Sequence, residues 1–296
     1  MPARFRQQRL LIVGCGDIGL RLARRVPGRV LALTSSPDRR PELRRRGIVP
    51  LVGNLDDPRS LARLAGLAQR VVHLAPPASD PGGGDGRDLR TRALLRALHR
   101  RSPPAGLVYA STSGVYGDCG GALVRETRPL APATARARRR VDAERLVRRF
   151  GRIAGTRASL LRVPGIYAAD RPGGTPRERL LRGTPVLRPE DDVYTNHIHA
   201  DDLARALAAA LWRGRPQRAC HASDDSALRM GDYYDLAADL YGLPRPPRVS
   251  RELARQQLPP ALLSFMGESR RLDNQRLKTE LRVRLRHPTV ASGLRG

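Results

Sequence analysis

The sequence predicts an α/β fold in which a doubly wound parallel sheet carries a smaller, mostly helical C-terminal lobe. Short apolar runs alternate with amphipathic helical patterns along the first half of the 296-residue chain, which is typical of parallel strands joined by crossover helices. A glycine-rich turn separates the first of these runs from the first helical pattern. Beyond Pro164, prolines and glycines interrupt the alternation, and this change indicates a separate lobe.

The first strand, the glycine turn and the first helix are predicted within residues 10–25, which read LLIVGCGDIGLRLARR. The three glycines of the turn follow the G-x-G-x-x-G spacing, which in this strand–turn–helix context is typical of a Rossmann dinucleotide-binding domain. The first permits a tight turn, the second lets the backbone approach a pyrophosphate, and the third lets the helix pack on the strand. The alternative is a glycine turn that binds no ligand. The residues predicted to bind a cofactor here are Gly14, Gly16, Asp17, Ile18 and Gly19.

The second predicted strand, residues 30–34, ends where NAD-preferring Rossmann domains carry an Asp or Glu that binds the ribose. This chain has the sequence TSSPDRR from Thr34 onward. Hydroxyl groups followed by arginine suit a 2′-phosphate, because a guanidinium group binds phosphate through bidentate, charge-assisted hydrogen bonds. We therefore predict that Ser35, Ser36 and Arg39 favour NADP slightly over NAD. The alternative is that Asp38 turns inward.

Four further strands are predicted over residues 48–52, 71–75, 107–110 and 158–163, with helices between them. Such folds place ligands beyond the carboxyl ends of their strands. The remaining candidates for cofactor contact follow these strands: Asn54, Leu55, Leu74, Ala75, Pro76, Ser111, Pro164 and Ile166. Asn54 has the alternative role of a turn residue, and His73, within an apolar run, is more typical of the core than of a ligand. The glycine-rich segment 78–86 is predicted to be a mobile loop.

Composition bears on several classes of function. The chain has 55 basic and 28 acidic residues, a net charge of +27, which can indicate binding to nucleic acid. However, Lys278 is the only lysine and the arginines are spread along the chain rather than gathered in one patch, so the charge does not predict nucleic acid as a partner. No apolar run reaches the roughly 18 residues of a membrane span. Three widely spaced cysteines and a basic N-terminus without a signal-peptide cleavage site predict a reduced, cytoplasmic protein.

Four motifs in order resemble the extended short-chain dehydrogenase/reductase superfamily, and most closely an atypical branch of its NAD(P)-dependent epimerase/dehydratase type. They are the glycine turn, STSGVYG at 111–117, VPGIY at 163–167 and NHIHADDLA at 196–204. The resemblance extends to about Thr289. It implies a cofactor domain of residues 1–165 and 193–224, a substrate lobe of 166–192 and 225–296, and a small polar or sugar-like substrate, with a homodimer as the candidate assembly.

The sequence departs from this superfamily at its catalytic Tyr-x-x-x-Lys motif. Counting back from Glu144 places Arg136 in the tyrosine position and Arg140 in the lysine position, whereas a shifted register would place Thr134 and Arg138 there. Because arginine stays protonated, Arg136 cannot act as a general base. It could stabilise an oxyanion or bind a phosphate or carboxylate, and Arg140 could hydrogen-bond the nicotinamide ribose.

Two further residues are candidates for catalysis. Thr112 matches the Ser or Thr that binds the substrate hydroxyl or carbonyl in the superfamily. Tyr116 is the nearest phenol and is the candidate for a replacement acid, although a structural role in the turn is the more frequent one for such a tyrosine. Asp142 and Glu144 are expected on a solvated helix face.

The His197 and His199 pair has a spacing that could bind a metal. The resemblance instead makes this segment a lobe junction in which Asp201 caps a helix, so no metal site is predicted.

Three functions are compatible with these observations. The leading interpretation is an NAD(P)-dependent oxidoreductase or epimerase. A cofactor-binding regulator or sensor with little turnover is favoured by the altered Tyr-x-x-x-Lys motif. A basic nucleic-acid-binding protein is the third, and it rests on charge alone.

Overall fold

The structure, a computed structural model, describes residues 8–78 and 86–295. The segment predicted to be a mobile loop lies almost entirely outside the described residues, as does most of the basic N-terminus. The strands are β1 (Arg9–Val13), β2 (Arg29–Thr34), β3 (Val49–Val52), β4 (Arg70–His73), β5 (Gly106–Thr112), β6 (Leu123–Val124), β7 (Arg157–Val163), β8 (Gly165–Tyr167), β9 (Val186–Leu187), β10 (Tyr194–Thr195), β11 (His197–His199), β12 (Ala219–His221), β13 (Leu228–Arg229), β14 (Arg248–Val249) and β15 (Arg271–Leu272).

Helices connect these strands and build the C-terminal half. They are α1 (Asp17–Ala23), α2 (Arg40–Arg45), α3 (Leu89–His99), α4 (Ala135–Ile153), α5 (Arg177–Leu181), α6 (Ala200–Arg213), α7 (Met230–Tyr241), α8 (Arg251–Gln257), α9 (Pro260–Met266), α10 (Gln275–Thr279) and α11 (Val290–Leu294). Tight 3₁₀ turns cover Pro37–Arg39, Pro58–Leu64 and Ser113–Tyr116. In the described ranges, no helix is both long enough and apolar enough to cross a membrane.

The central sheet has seven parallel strands in the order β12-β7-β5-β4-β1-β2-β3. This order confirms the predicted doubly wound arrangement. Because the order proceeds in opposite directions from β1, a crevice opens at the carboxyl ends of β1 and β4. Val13, the last residue of β1, pairs with Leu33 of β2 and His73 of β4. The segments that follow these strands therefore emerge together at one edge.

Both faces of the sheet are buried, which explains why its strands are continuous apolar runs. Ile12 packs on one face in a core that includes Leu207 of α6. Leu11 packs on the opposite face in a core that includes Leu94 of α3. Successive strand residues point to opposite faces, so helices on both sides require every position to be apolar.

The edge strand β12 was not predicted from the sequence. Its three residues, Ala219-Cys220-His221, are too few to show a strand pattern. They are recruited by pairing with Leu160, Leu161 and Arg162 of β7.

A third core lies apart from the sheet. It gathers buried side chains from α5, α7, α8 and α11, including Leu180, Tyr234, Ala254 and Val290. The short strand pairs β9–β14 and β10–β13 border it. These segments come mostly from the part of the chain predicted to form a C-terminal lobe, whose exact boundaries stay a prediction.

The start of α6 differs from the expectation. His199, rather than Asp201, caps this helix, because its Nδ1 accepts a hydrogen bond from the backbone nitrogen of Asp201 at 3.2 Å. The Asp201 carboxylate instead lies 3.0 Å from both Arg21 and Arg25. Since both arginines follow the glycine turn, this carboxylate connects α6 to the segment that carries the turn.

Candidate functional site

The glycine turn joins β1 to α1, and each glycine has a different steric environment. Gly14 has φ +86°, and a Cβ there would lie 2.6 Å from the backbone nitrogen of Ala75. A Cβ at Gly16 would meet no protein atom within 4 Å. At Gly19 a Cβ would lie 3.1 Å from Sγ of Cys15. The turn therefore needs glycine at its first position for backbone reasons, favours it at the last for packing, and is open at Gly16.

A cavity of about 620 Å³ opens beside this turn, at the carboxyl ends of the strands. Every residue that the sequence assigned to a cofactor lines it: Gly14, Gly16, Asp17, Ile18, Gly19, Ser35, Ser36, Arg39, Asn54, Leu55, Leu74, Ala75, Pro76, Ser111, Pro164 and Ile166. The parallel sheet brings these segments to one edge although they span about 150 residues of sequence. We call this space the first cavity. Contact with a cofactor stays a prediction for each of them.

Arg39 already has partners in this cavity. Its Nη1 donates to the carbonyl oxygen of Cys15 at 2.7 Å, and its Nε and Nη2 donate to Oε2 of Glu42 at 3.3 and 3.2 Å. The carboxylate, which sequence reasoning did not consider, offsets part of the positive charge offered to a 2′-phosphate. Glu42 therefore competes with any phosphate for Arg39.

Asn54 has the turn role that was considered as its alternative, although it also lines the first cavity. Its Oδ1 accepts a hydrogen bond from the backbone nitrogen of Asp56 at 3.0 Å. Asp56 in turn forms an ion pair with Arg90, whose side chain also lines the cavity. This pairing lowers the pKa of Asp56.

A second cavity of about 640 Å³ adjoins the first. Residues that line both are Pro76, Thr112, Arg140, Pro164, Ile166 and Arg171. The rest of its lining comes from the start of α4 and from the C-terminal half, including α7 and α9. The two cavities therefore meet at Thr112 and Arg140.

Arg140 is held firmly at this junction. Its Nη1 donates to the hydroxyl of Tyr109 at 2.9 Å and to the carbonyl oxygen of Ala110 at 2.8 Å. Arg136 lies one turn earlier on α4 and lines the second cavity, with Cζ 5.4 Å from the ring centre of Phe265. Arg138 is exposed and donates to the carbonyl oxygen of Ala133 instead. Thr134 also lines the second cavity, so the two registers differ only in that Arg140 lies at the junction and Arg138 lines neither cavity, which favours the register with Arg136 and Arg140.

Tyr116 lies behind the site and lines neither cavity. It is 1% exposed, and burial raises its pKa to about 12. Nδ1 of His221 lies 2.7 Å from the carbonyl oxygen of Asp273, which only accepts, so Nδ1 carries the proton and Nε2 accepts from Tyr116 at 2.6 Å. Nη1 of Arg162 also donates to the Tyr116 oxygen, at 2.5 Å. These contacts describe a structural tyrosine, so the interpretation of Tyr116 as a replacement acid is not supported.

Glu144 is not on a solvated face of α4, contrary to expectation. It is fully buried and accepts a bidentate pair from Arg162 of β7, at 3.0 Å from Nε and 2.8 Å from Nη2. Burial alone would raise the pKa of Glu144, but Arg162 holds it below the usual value. Asp142, by contrast, is half-buried and accepts from the backbone nitrogen of Asp88.

The buried histidines differ in their surroundings. His73 is buried, and its Nε2 lies 2.9 Å from the hydroxyl oxygen of Thr91. His197 lines the second cavity against the ring of Tyr233, with ring centres 4.3 Å apart, and burial lowers its pKa to about 4. In the part of the chain that is described, no three His, Cys, Asp or Glu side chains form a group able to hold a metal ion.

Several residues of the second cavity were not identified from the sequence: Arg171, Arg179, Tyr194, Tyr233, Tyr234, Phe265, Glu268 and Arg270. They lie in the irregular C-terminal half, where no fixed spacing signals a site. The arginines among them are also concealed by the abundance of arginine throughout the chain. Only the packing of the C-terminal segments onto the sheet edge brings these side chains together.

Comparisons with known proteins agree with the family that the sequence motifs resemble. The sequence profile of the NAD dependent epimerase/dehydratase family matches residues 10–221. A functionally unknown conserved protein from Silicibacter pomeroyi is 31% identical over 97% of both chains, with a TM-score of 0.79. No curated protein sequence matches the chain significantly.

Two solved structures of sugar-nucleotide enzymes share the fold. UDP-glucose 4-epimerase of Thermotoga maritima, solved with UDP-glucose, is 18% identical over 97% of this chain and 96% of that one, with a TM-score of 0.80. MoeE5, solved with UDP-glucose and NAD, is 23% identical over the same shares, with a TM-score of 0.76. The family profile covers well over half of the chain, from the first strand to the last strand of the sheet. The chain therefore belongs to the NAD-dependent epimerase/dehydratase family.

Proposed function

We propose that the protein is an NAD(P)-dependent oxidoreductase or epimerase that acts on a small polar or sugar-like substrate. The observation that carries this proposal is the pair of adjoining cavities. The first is lined by every residue assigned to the cofactor, and it meets the second at Thr112, the residue assigned to the substrate. Cofactor and substrate would then meet at that junction.

The residues of the first cavity fit a dinucleotide. The open side of Gly16 leaves room for a pyrophosphate beside the backbone, since a Cβ there would meet no protein atom within 4 Å. Ser111, Pro164 and Ile166 line the end of the cavity that carries Thr112, and they would enclose the nicotinamide. Bound there, the cofactor would accept or donate hydride. MoeE5, which shares this fold, was solved with NAD bound.

The chain's own residues then have distinct tasks. The Thr112 oxygen accepts from the backbone nitrogen of Gly114 at 3.3 Å, so its hydroxyl proton is free to bond a substrate oxygen. Arg140 is fixed by hydrogen bonds to Tyr109 and Ala110 at the junction of the two cavities, and there it would hydrogen-bond the nicotinamide ribose of a bound cofactor. Arg136 binds rather than removes a proton. Proton transfer would then require another titratable group of the second cavity, whose lining includes His197, Tyr194 and the carboxylate of Glu268, which is ion-paired with Arg270.

A second candidate function is a cofactor-binding regulator with little turnover. The favouring observation is the pair of arginines in the Tyr-x-x-x-Lys positions, together with the burial of Tyr116 outside both cavities. Restoring Arg136→Tyr with Arg140→Lys and assaying both proteins on sugar nucleotides, simple alcohols and carbonyls separates the candidates. An enzyme adapted to these arginines loses its turnover in the double variant. If the protein is a regulator, the natural protein shows no turnover of any compound in this panel.

The first test of the proposal is binding of NAD and NADP to Gly16→Asp. Because the position is sterically open, the variant should fold, yet its carboxylate would occupy the phosphate position and repel it. We expect calorimetry to show no detectable binding of either cofactor. Gly267→Asp, at an exposed glycine that lines neither cavity, is the control and should bind like the natural protein. Unchanged affinity in Gly16→Asp would show that the glycine turn does not hold the cofactor.

A further inference from the structure

The second cavity has a strongly basic lining. In the described ranges its charged side chains are Arg136, Arg140, Arg171, Arg179, Arg270 and Glu268. Arginines come from both the sheet domain and the C-terminal half, so the charge is not the property of one segment. Some of these charges are compensated within the protein and others are not, and this difference indicates what the cavity binds.

Two of the arginines have carboxylate partners. Nη1 of Arg270 lies 2.7 Å from Oε2 of Glu268, which is the acidic residue of this lining. Nε of Arg171 lies 3.5 Å from Oδ2 of Asp17. Neither guanidinium group therefore requires an external anion.

The other three arginines contact neutral groups. Arg140 donates to a phenol and a backbone carbonyl. Arg179 donates from Nη1 to the hydroxyl of Tyr234 at 2.8 Å. Arg136 lies against the ring of Phe265, and within residues 8–78 and 86–295 no carboxylate forms an ion pair with it. Neutral contacts orient a guanidinium group but supply no opposite charge, and Arg136 and Arg179 are exposed, so only water balances their charge until an anion binds.

We propose that the second cavity takes a substrate with an anionic group, a phosphate or a carboxylate, and that Arg136 is the specificity-determining residue that binds this group. The inference rests on the proposed function, since it concerns the substrate of that same site. Residue 136 stands where the superfamily resemblance places the proton-transferring tyrosine. The substitution therefore exchanges an acid–base group for an anion anchor at the mouth of the reaction site.

Three features of the cavity support this assignment. The planar guanidinium group of Arg136 can form two parallel hydrogen bonds with a phosphate or carboxylate. The ring of Phe265 supports it without competing for those bonds. Arg179 adds a further positive charge without a carboxylate partner, while Tyr194 and Met230 provide less polar surface for the rest of the substrate.

The test is calorimetric titration of the full chain with inorganic phosphate, malonate and glycerol at constant ionic strength. We expect at least one of the two anions to bind and glycerol not to bind. Arg136→Gln should lower the affinity for the preferred anion about tenfold or more, and Arg136→Lys should lower that affinity less. The matched control is Arg145→Gln, an exposed arginine of α4 outside both cavities, which should change nothing. A preference for phosphate or for malonate identifies the group as phosphoryl or carboxylate.

Two further titrations separate this inference from the proposed function. Gly16→Asp should bind the anion as the natural protein does, because the glycine turn lies in the first cavity. Arg136→Gln should bind NAD normally, because Arg136 does not line that cavity. If NAD does not bind but anion binding still depends on Arg136, the proposed function fails and the anion site stands. The inference is overturned if neither anion binds, if Arg145→Gln weakens binding equally, or if only Gly16→Asp abolishes it.

Discussion

At the scale of single residues, the surroundings of Arg39 decide how the first cavity distinguishes its cofactors. Sequence spacing placed Arg39 where a 2′-phosphate would lie, and the structure places it in the same cavity as Ser35 and Ser36. Glu42 nevertheless holds two of its nitrogens. A 2′-phosphate must therefore compete with a carboxylate, so we expect the preference for NADP to be small.

The corresponding prediction uses two variants. Arg39→Ala should weaken NADP binding at least about tenfold and leave NAD binding nearly unchanged, because it removes one charge-assisted contact worth about 1.5–3 kcal/mol. Glu42→Gln should strengthen NADP binding, because it frees the guanidinium group and removes a repulsive charge. Calorimetry with both cofactors checks each variant. Equal effects of Arg39→Ala on NAD and NADP would contradict this interpretation.

At the scale of elements, a buried ion pair joins α4 to β7. Glu144 and Arg162 are both almost completely buried, and Arg162 also donates to Tyr116 and to the carbonyl oxygen of Glu126. α4 carries Arg136 and Arg140, so this pair fixes the helix that presents both arginines to the cavities. Its role is to position them.

Removal of one partner of the Glu144–Arg162 ion pair should therefore destabilise the fold. Arg162→Met leaves the Glu144 carboxylate buried without its main partner, and we expect it to lower the free energy of unfolding by about 3–5 kcal/mol. Arg148→Met, which removes a more exposed partner of the same carboxylate, should cost no more than about 1 kcal/mol. Urea denaturation measures both. A loss in Arg162→Met no larger than in Arg148→Met would show that the pair does not stabilise the fold.

At the scale of the whole molecule, many of the chain's arginines donate hydrogen bonds to other parts of the fold. Arg213 donates to the carbonyl oxygen of Leu281, Arg276 to that of Ala219, and Arg205 to that of Arg284. These bonds join the C-terminal segments to α6 and β12. Much of the positive charge is thus dispersed over the fold, and the second cavity is where several uncompensated guanidinium groups meet.

Buried histidines should make the whole molecule sensitive to acid. Burial lowers the pKa of His73 to about 3 and the pKa values of His197 and His221 to about 4. The unfolded chain takes up protons at these sites near pH 6.5, before the folded protein does, so their contribution to stability declines as the pH falls from about 6.5 to 4. We expect the free energy of unfolding to fall across this range in urea titrations.

The control for this prediction is His221→Gln, which removes one titrating ring. It should make the decline with pH shallower, even if the variant is less stable at pH 7 because Tyr116 loses its acceptor. A free energy of unfolding that stays constant between pH 7 and pH 5 would exclude the predicted role of the histidines.

The sequence by itself determined the strands of the sheet except β12, the strand–turn–helix at the glycines, and much of the lining of the first cavity, although not Arg90, Arg171 or Leu203. These follow from local patterns, because parallel pairing brings each segment that follows a strand to the same edge. The sequence also indicated that Arg136 and Arg140 replace the Tyr-x-x-x-Lys pair. For all of these features, the spacing of residues along the chain was sufficient.

Only the tertiary structure decided the burial of Glu144 and Tyr116, the capping of α6 by His199, and the lining of the second cavity. Each depends on partners far away in sequence, such as Arg162 and His221, or on irregular segments that carry no period. The sequence gives no sign of whether a charged helix residue meets water or a buried guanidinium group. That distinction arises only when the elements pack, because burial makes an unpaired charge costly and a paired one tolerable.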